Sequence, residues 1–332
     1  MDDNILEVRH LRTHFIGKRG RQVRAVDDLS YSVRRGEFTA IIGESGSGKS
    51  VSALSLLRLI PYPPGLILGG EVIFDGRDLM ALSDAEMESV RGQEIGMIFQ
   101  EPATALNPVL TIGEQIKEAI QTHLRMDDRA AWERAIELLR MVDIPNPEER
   151  VKQYPFEFSG GMQQRAMIAM AMSCGPKLLI CDEPTTALDV TVQAQVLDQI
   201  DHLRRQTGTT IILITHNLGV VARYADSVKI MYGGRIVEQG RTEDIFHHAR
   251  HPYTAGLIRA VPRLDRDEGQ LYSIEGEPPD MSKVPYQSCA FAARCPYADE
   301  RCRTERPELT AMGSEEHGCA CFHPLREEAF AE

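Results

Sequence analysis

Phe38-Thr39-Ala40-Ile41-Ile42-Gly43-Glu44-Ser45-Gly46-Ser47-Gly48-Lys49-Ser50 is an apolar run feeding a glycine-rich turn that ends in Lys-Ser. From Gly43 onward it fits G-x-x-x-x-G-K-[ST] at each fixed position. A short buried strand ahead of such a turn is the context in which the pattern means phosphate binding. The glycines let successive backbone N–H groups curl around an anion. A helix beginning near Ser50 adds its positive end, Lys49 adds a mobile point charge, and the Ser50 hydroxyl suits Mg²⁺. A flexible linker would need neither the strand before Gly43 nor Lys49-Ser50 beside Gly48. The stretch reads as a nucleotide site on an α/β fold.

Composition bounds what surrounds that site. A chain of 332 residues suggests one large domain and a smaller second one. With 37 basic against 49 acidic residues, a net of −12, it lacks the clustered cations of a nucleic-acid platform, and no nucleic-acid partner is expected. The start Met1-Asp2-Asp3-Asn4 is acidic and unlike a signal peptide, and no run of 18 apolar residues exists, so a soluble cytosolic chain is expected. Cys174 and Cys181 lie in apolar segments and read as small buried hydrophobes. The other five cysteines of seven fall in the last 44 residues, which in a reducing compartment suggests a metal or cluster more than disulfides.

Along the chain, Leu6 to Phe15 alternates as a strand, Gly17 to Arg21 turns, and Leu29 to Val33 alternates again. Val51, Leu54 and Leu57 have helical spacing after the glycine-rich turn, with apolar positions suited to packing under a sheet. Ser83 with Glu86 and Thr111 with Glu114 are capping boxes. Ile95 to Phe99 is a buried-strand candidate ending in Gln100. From Thr111 to about Tyr154 the pattern is helical, with Trp132, Ile136, Leu139 and Val142 in period. Lys177 to Cys181 is an apolar run ending in Asp182-Glu183, Val192 to Leu203 marks a helix, and Thr210 to Thr215 is a strand with His216 at its end. Gly233-Gly234 predicts a hairpin, and Pro262 to Pro285 a loop or linker. Strands alternating with helices predict a mostly parallel sheet core covered on both faces.

In this order the pieces resemble the ATP-hydrolysing subunit of ABC transporters, over roughly residues 5 to 262. Gly43 to Ser50 matches Walker A, Gln100 the Q-loop, and Ser159-Gly160-Gly161-Met162-Gln163 the family signature. Leu178 to Glu183 matches Walker B, Ala187-Leu188-Asp189 the D-loop, and His216 the switch histidine. Phe158 stands where most members carry Leu before the signature. The resemblance implies a P-loop NTPase fold with a mostly parallel core, an antiparallel β subdomain and an inserted helical subdomain at about 103–170. It implies ATP and Mg²⁺ as ligands, with Ser50, Gln100 and Asp182 at the metal, Glu183 activating water and His216 at the γ-phosphate. Ser159 and the N–H groups of Gly160 and Gly161 would start a helix as a second anion site, closing on ATP held by a partner subunit in a head-to-tail dimer. Phe15 is the candidate to stack on adenine.

The tail narrows the resemblance. His251-Pro252-Tyr253-Thr254 with Leu257 to Pro262 looks like the C-terminal extension of oligopeptide/dipeptide (and nickel) importer ATPases, and Gln100 to Pro108 and Glu183 to Thr191 fit that group too. This divides the chain into an ATPase domain, 1–246, and an extension, 247–332, whose Cys-rich part spans about 286–324. Members of the group carry a cysteine run that binds a [4Fe–4S] cluster, and Cys289, Cys295 and Cys302 match its first three positions. Cys321, in Cys-Phe-His-Pro, fits the fourth better than Cys319. Iron–sulfur, zinc or free thiols all remain open; the absence of a C-x2-C knuckle favours iron–sulfur. The resemblance further implies a second, non-identical ATPase subunit, two membrane permease subunits, an extracytoplasmic solute-binding protein, and a peripheral place on the cytoplasmic face of the inner membrane. The rival readings are nickel import by the same machine and a soluble ABC protein acting on DNA or ribosomes.

Overall fold

The computed structural model describes residues 3–17, 20–185, 189–261 and 272–326. Within them the chain forms two compact units: one takes 34–36 and 81–213, the other 3–33, 37–80 and the residues from 214 on.

The second unit is built on two sheets. In the first, four strands are ordered Gln22–Arg34, Asn4–Ile16, Gly65–Phe74, Arg77–Asp78. Asn4–Ile16 and Gly65–Phe74 run antiparallel, with Leu6 opposite Phe74 and Phe15 opposite Gly65, and the register shifts between Arg9 and Thr13. The alternation read from Leu6 to Phe15 is therefore real but interrupted by a bulge. The other sheet contributes, in order, Thr310–Met312, Ser314–Cys319, Arg235–Arg241, Ser227–Tyr232 and Phe38–Ile42. Phe38–Ile42 pairs in parallel with Ser227–Tyr232, and all five of its residues are buried, as expected for a strand covered on both faces. The remaining pairs are antiparallel, the hairpin across Gly233-Gly234 among them, so the sheet is mixed. The two strands between Thr310 and Cys319 lack clean alternation and were not expected; they form by adding to the edge of Arg235–Arg241.

In the first unit the strand order is Thr210–Thr215, Leu178–Asp182, Ile95–Ile98, the last two parallel. Helices Ile112–Leu124, Asp128–Met141 and Gly160–Met172 supply the helical part that the sequence predicts. Both capping boxes form as read: the Ser83 and Thr111 hydroxyls accept from the Glu86 and Glu114 amides, and each glutamate returns the bond. Helix Val190–Thr207 buries Val196, Ile200 and Leu203 in period and stops at Gly208, whose positive φ no β-carbon opposes. Among the described residues, no helix is long and apolar enough to cross a membrane.

Candidate functional site

The glycine-rich turn folds as its residues demand. The chain leaves Phe38–Ile42 and enters helix Lys49–Leu56 through Gly48, which sits at φ 99°. A β-carbon there would lie 2.1 Å from the Ala25 carbonyl oxygen, and one on Gly43 would lie 2.2 Å from the Met231 carbonyl oxygen. Only glycine permits so close a backbone approach. The helix start carries no side-chain cap, which leaves its first amides facing the turn. Lys49 is buried, and its ammonium donates to the carbonyls of Gly43 (2.7 Å) and Glu44 (3.1 Å) across the loop mouth. Ser47 is buried as well; Glu44, Gly48 and Ser50 are half-buried, and Ser45 and Gly46 are exposed.

Two contacts on this loop had no signal in the sequence. The Glu44 amide donates to the Tyr253 hydroxyl at 2.9 Å. The Glu44 carboxylate is gripped by both terminal nitrogens of Arg294, at 2.7 and 3.1 Å. Tyr232, Tyr253 and Phe291 pack edge-on or tilted within 5.5 Å of one another beneath the pair. Burial pushes the Tyr253 hydroxyl well above the usual tyrosine range, so it stays neutral. The helix buries Ser52, Ala53, Ser55 and Leu56; of the positions that spacing pointed to, Leu57 is buried and Val51 and Leu54 are half-buried. Small residues turn inward because Ser55 bonds Thr13 (2.8 Å) and its own helix backbone at Val51 (2.6 Å). Phe15 is half-buried opposite Gly65, and His216 is exposed just past Thr210–Thr215.

The other unit holds the remaining motif residues. Leu178–Asp182 is buried throughout and delivers Asp182 at its end. Glu183 follows at φ 46°, a conformation that costs a non-glycine residue on the order of 1 kcal/mol and marks over-determined sites. Gln100, exposed past Ile95–Ile98, donates to the Glu183 carboxylate at 3.3 Å, so these two motif residues meet. Ser159 caps helix Gly160–Met172 through a 3.4 Å bond from the Met162 amide; Ser159 and Gly160 are exposed and Gly161 half-buried. Gln163 turns back to donate to the Pro155 carbonyl at 2.8 Å, bracing the preceding turn. Asp189 caps helix Val190–Thr207 by accepting from the Thr191 and Val192 amides. Ala187 and Leu188, and residues 262–271 of the expected linker, lie outside the described residues.

In the C-terminal part, Cys289, Cys295, Cys302 and Cys321 line one small cavity with Phe291, Pro307 and Phe322. Cys319 does not line it. It is fully buried in its strand, paired opposite Glu238. Burial raises all four cavity thiols, Cys289 to about 11 and Cys321 to about 12, so four thiolates there require a cation to offset them. Among the described residues, the one group of three or more metal-binding side chains within 4.8 Å is Asp299, Cys302 and His323. Four sulfurs around zinc would lie about 3.8 Å apart, given ~2.3 Å bonds and tetrahedral angles. Among the described residues, no three of the four cavity cysteines bring their sulfurs within 4.8 Å of one another. Cys181 is fully buried as read, whereas Cys174 is only half-buried.

The pattern of the family described as "ABC transporter" matches residues 26–186, and that of "Oligopeptide/dipeptide transporter, C-terminal region" matches residues 237–302. The chain is 51% identical over 295 residues to the oligopeptide transport ATP-binding protein OppD of Bacillus subtilis, covering 89% of this chain and 82% of that one. It is 47% identical over 320 residues to the dipeptide transport ATP-binding protein DppD of the same organism, covering 96% and 95%. Among solved structures, it is similar to a dimeric ATP-binding cassette in a post-hydrolysis state bound to ADP and Pi. That match has 26% identity and a TM-score of 0.64, over 71% of this chain and 98% of that chain.

Proposed function

The chain belongs to the ATP-binding subunits of ABC transporters, in the group with the oligopeptide/dipeptide C-terminal region, and from that premise we propose that it powers import of di- and oligopeptides. The observation that carries the reading is the presence on one chain of the cassette match and the peptide-transporter match, in that order. Membrane permease subunits and a second cassette are its partners; a non-identical cassette and an extracytoplasmic solute-binding protein complete the machine we propose. The chain then sits peripherally on the cytoplasmic face of the inner membrane. By this reading residues 1–246 are the ATPase domain and 247–332 the extension.

ATP is the substrate, and Mg²⁺, when bound, would offset the charge that develops during transfer. The amides of Gly43 to Ser50 hold the phosphates, and Lys49 exchanges its two carbonyl contacts for phosphate oxygens. Ser50, Gln100 and Asp182 are the residues that would hold the metal. Glu183 orients and deprotonates the attacking water, and the Gln100 amide fixes the rotamer that does so. His216 contacts the γ-phosphate and Phe15 stacks on adenine. Ser159, Gly160, Gly161 and Gln163 address nucleotide on the partner cassette, and Asp189 holds the start of its helix near that interface. Glu183→Gln should retain ATP binding while turnover falls about 10²–10⁴-fold and a dimer accumulates. Unchanged turnover would remove Glu183 from this role. Recovery of nucleic acid or ribosomes in place of permease subunits in a pull-down would overturn the transport reading.

Cys289, Cys295, Cys302 and Cys321, which line one cavity, would hold a [4Fe–4S] cluster through four thiolates. Anaerobic purification should give brown protein with iron and acid-labile sulfide. Stoichiometric zinc without iron would reverse the assignment.

A further inference from the structure

Arg294 is a built contact and not a surface ion pair. Its side chain is 6% exposed, and Glu44's is 24% exposed. All five of its N–H donors have acceptors. Two go to the Glu44 carboxylate, one to the Tyr232 hydroxyl (3.3 Å), and the others to the Glu275 (2.9 Å) and Ile274 (3.3 Å) carbonyls. The fork geometry is one that arginine makes and lysine does not. Arg294 stands on the turn closed by its own amide to the Phe291 carbonyl at 2.9 Å, between Cys289 and Cys295. Glu44 is the second residue of the phosphate-binding loop. Its carbonyl takes one of the Lys49 contacts, and its amide is already committed to Tyr253. A carboxylate on that loop faces a ligand carrying several negative charges. Left unpaired, it would oppose binding.

We propose that Arg294 is a positioning residue of the ATP site: it neutralises Glu44 and, with Tyr253, fixes the loop's shape, so the C-terminal region sets the chain's affinity for ATP. This rests on Gly43 to Ser50 being the ATP loop. Both residues lie in the same compact unit, so the link needs no movement between units.

The test uses the full chain, with Mg-ATP affinity and steady-state turnover as readouts. Arg294→Met should raise Kd and KM about tenfold and leave kcat within about twofold, with a smaller penalty at high salt. In a Glu44→Gln background the same change should cost less than about twofold, because no carboxylate is left exposed. A merely structural role for Arg294 would give the same penalty in both backgrounds. Wild-type affinity in Arg294→Met, or an undiminished penalty beside Glu44→Gln, would overturn the proposal. Should Arg294→Met not fold, Arg294→Lys carries the test: about threefold weaker binding is expected, and wild-type binding would overturn it. Lys49→Ala separates the premise. If it binds ATP like wild type, the loop assignment fails; if it loses binding while Arg294→Met does not, only the role of Arg294 fails.

Discussion

The two helix starts proposed to meet nucleotide, at Gly48-Lys49 and Ser159-Gly160, are made differently. At Gly48-Lys49 the N-terminus has no side-chain cap, its entry residue is left-handed, and the loop ahead of it is packed against backbone on two sides. At Ser159-Gly160 the N-terminus is capped by a hydroxyl, entered in extended conformation, and open to solvent, with no atom within 4 Å of where a Gly160 β-carbon would stand. The first is walled by the chain's own backbone. The second stands open, and on the proposed reading the rest of its wall comes from outside the chain. A helix N-terminus favours anions in either case. What differs is whether the chain supplies the rest of the wall.

The largest effect that could break this contrast comes from the glycines. Gly48→Ala puts a methyl 2.1 Å from the Ala25 carbonyl in a backbone region alanine avoids, and should destabilise the fold on the order of 3 kcal/mol or more, with nucleotide binding lost. Gly160→Ala meets nothing in the chain and should leave thermal stability unchanged or raised by up to about 1 kcal/mol, since alanine is the better helix former. Its turnover should nonetheless fall, because the methyl intrudes where partner-bound nucleotide would sit. Normal turnover in Gly160→Ala would mean that nothing approaches that helix closely, and the two starts would differ only in packing.

The cradle was legible because backbone geometry dictates its residues. Gly43 and Gly48 are each forced by a backbone approach that no β-carbon permits, and Lys49 spans the loop mouth between them, so pattern and structure coincide. Capping boxes at Ser83 and Thr111 were readable for the same reason: both partners lie within one helical turn. Longer-range facts were not. Arg294 meets Glu44 across 250 residues, and nothing in either local sequence marks the pair. The inward face of Lys49–Leu56 departs from the spacing at Val51 and Leu54 because Ser55 satisfies its hydroxyl against Thr13 and Val51, which hydrophobic spacing cannot register. Cys321 over Cys319 rests on a local resemblance alone; in the fold Cys321 lines the cavity with the other three cysteines, and Cys319 lies in a strand opposite Glu238.

The smallest effect sharpens the contrast most. Ser159→Ala removes a cap whose bond to the Met162 amide is long, 3.4 Å, and exposed, so its stability cost should sit near the low end for N-caps, about 0.5 kcal/mol. Ser159→Gly, which leaves the amides open to water, should cost only a few tenths. Neither change touches the loop from Gly43 to Ser50, so ATP affinity of the isolated chain should match wild type in both. Turnover at concentrations where cassettes pair should drop in both, because the hydroxyl is missing from the partner's site whichever residue replaces it. Affinity that weakens in the isolated chain would place Ser159 in its own chain's ATP site. Turnover that tracks the stability order, alanine worse than glycine, would reduce the serine to a helix cap and leave the second cradle without a ligand.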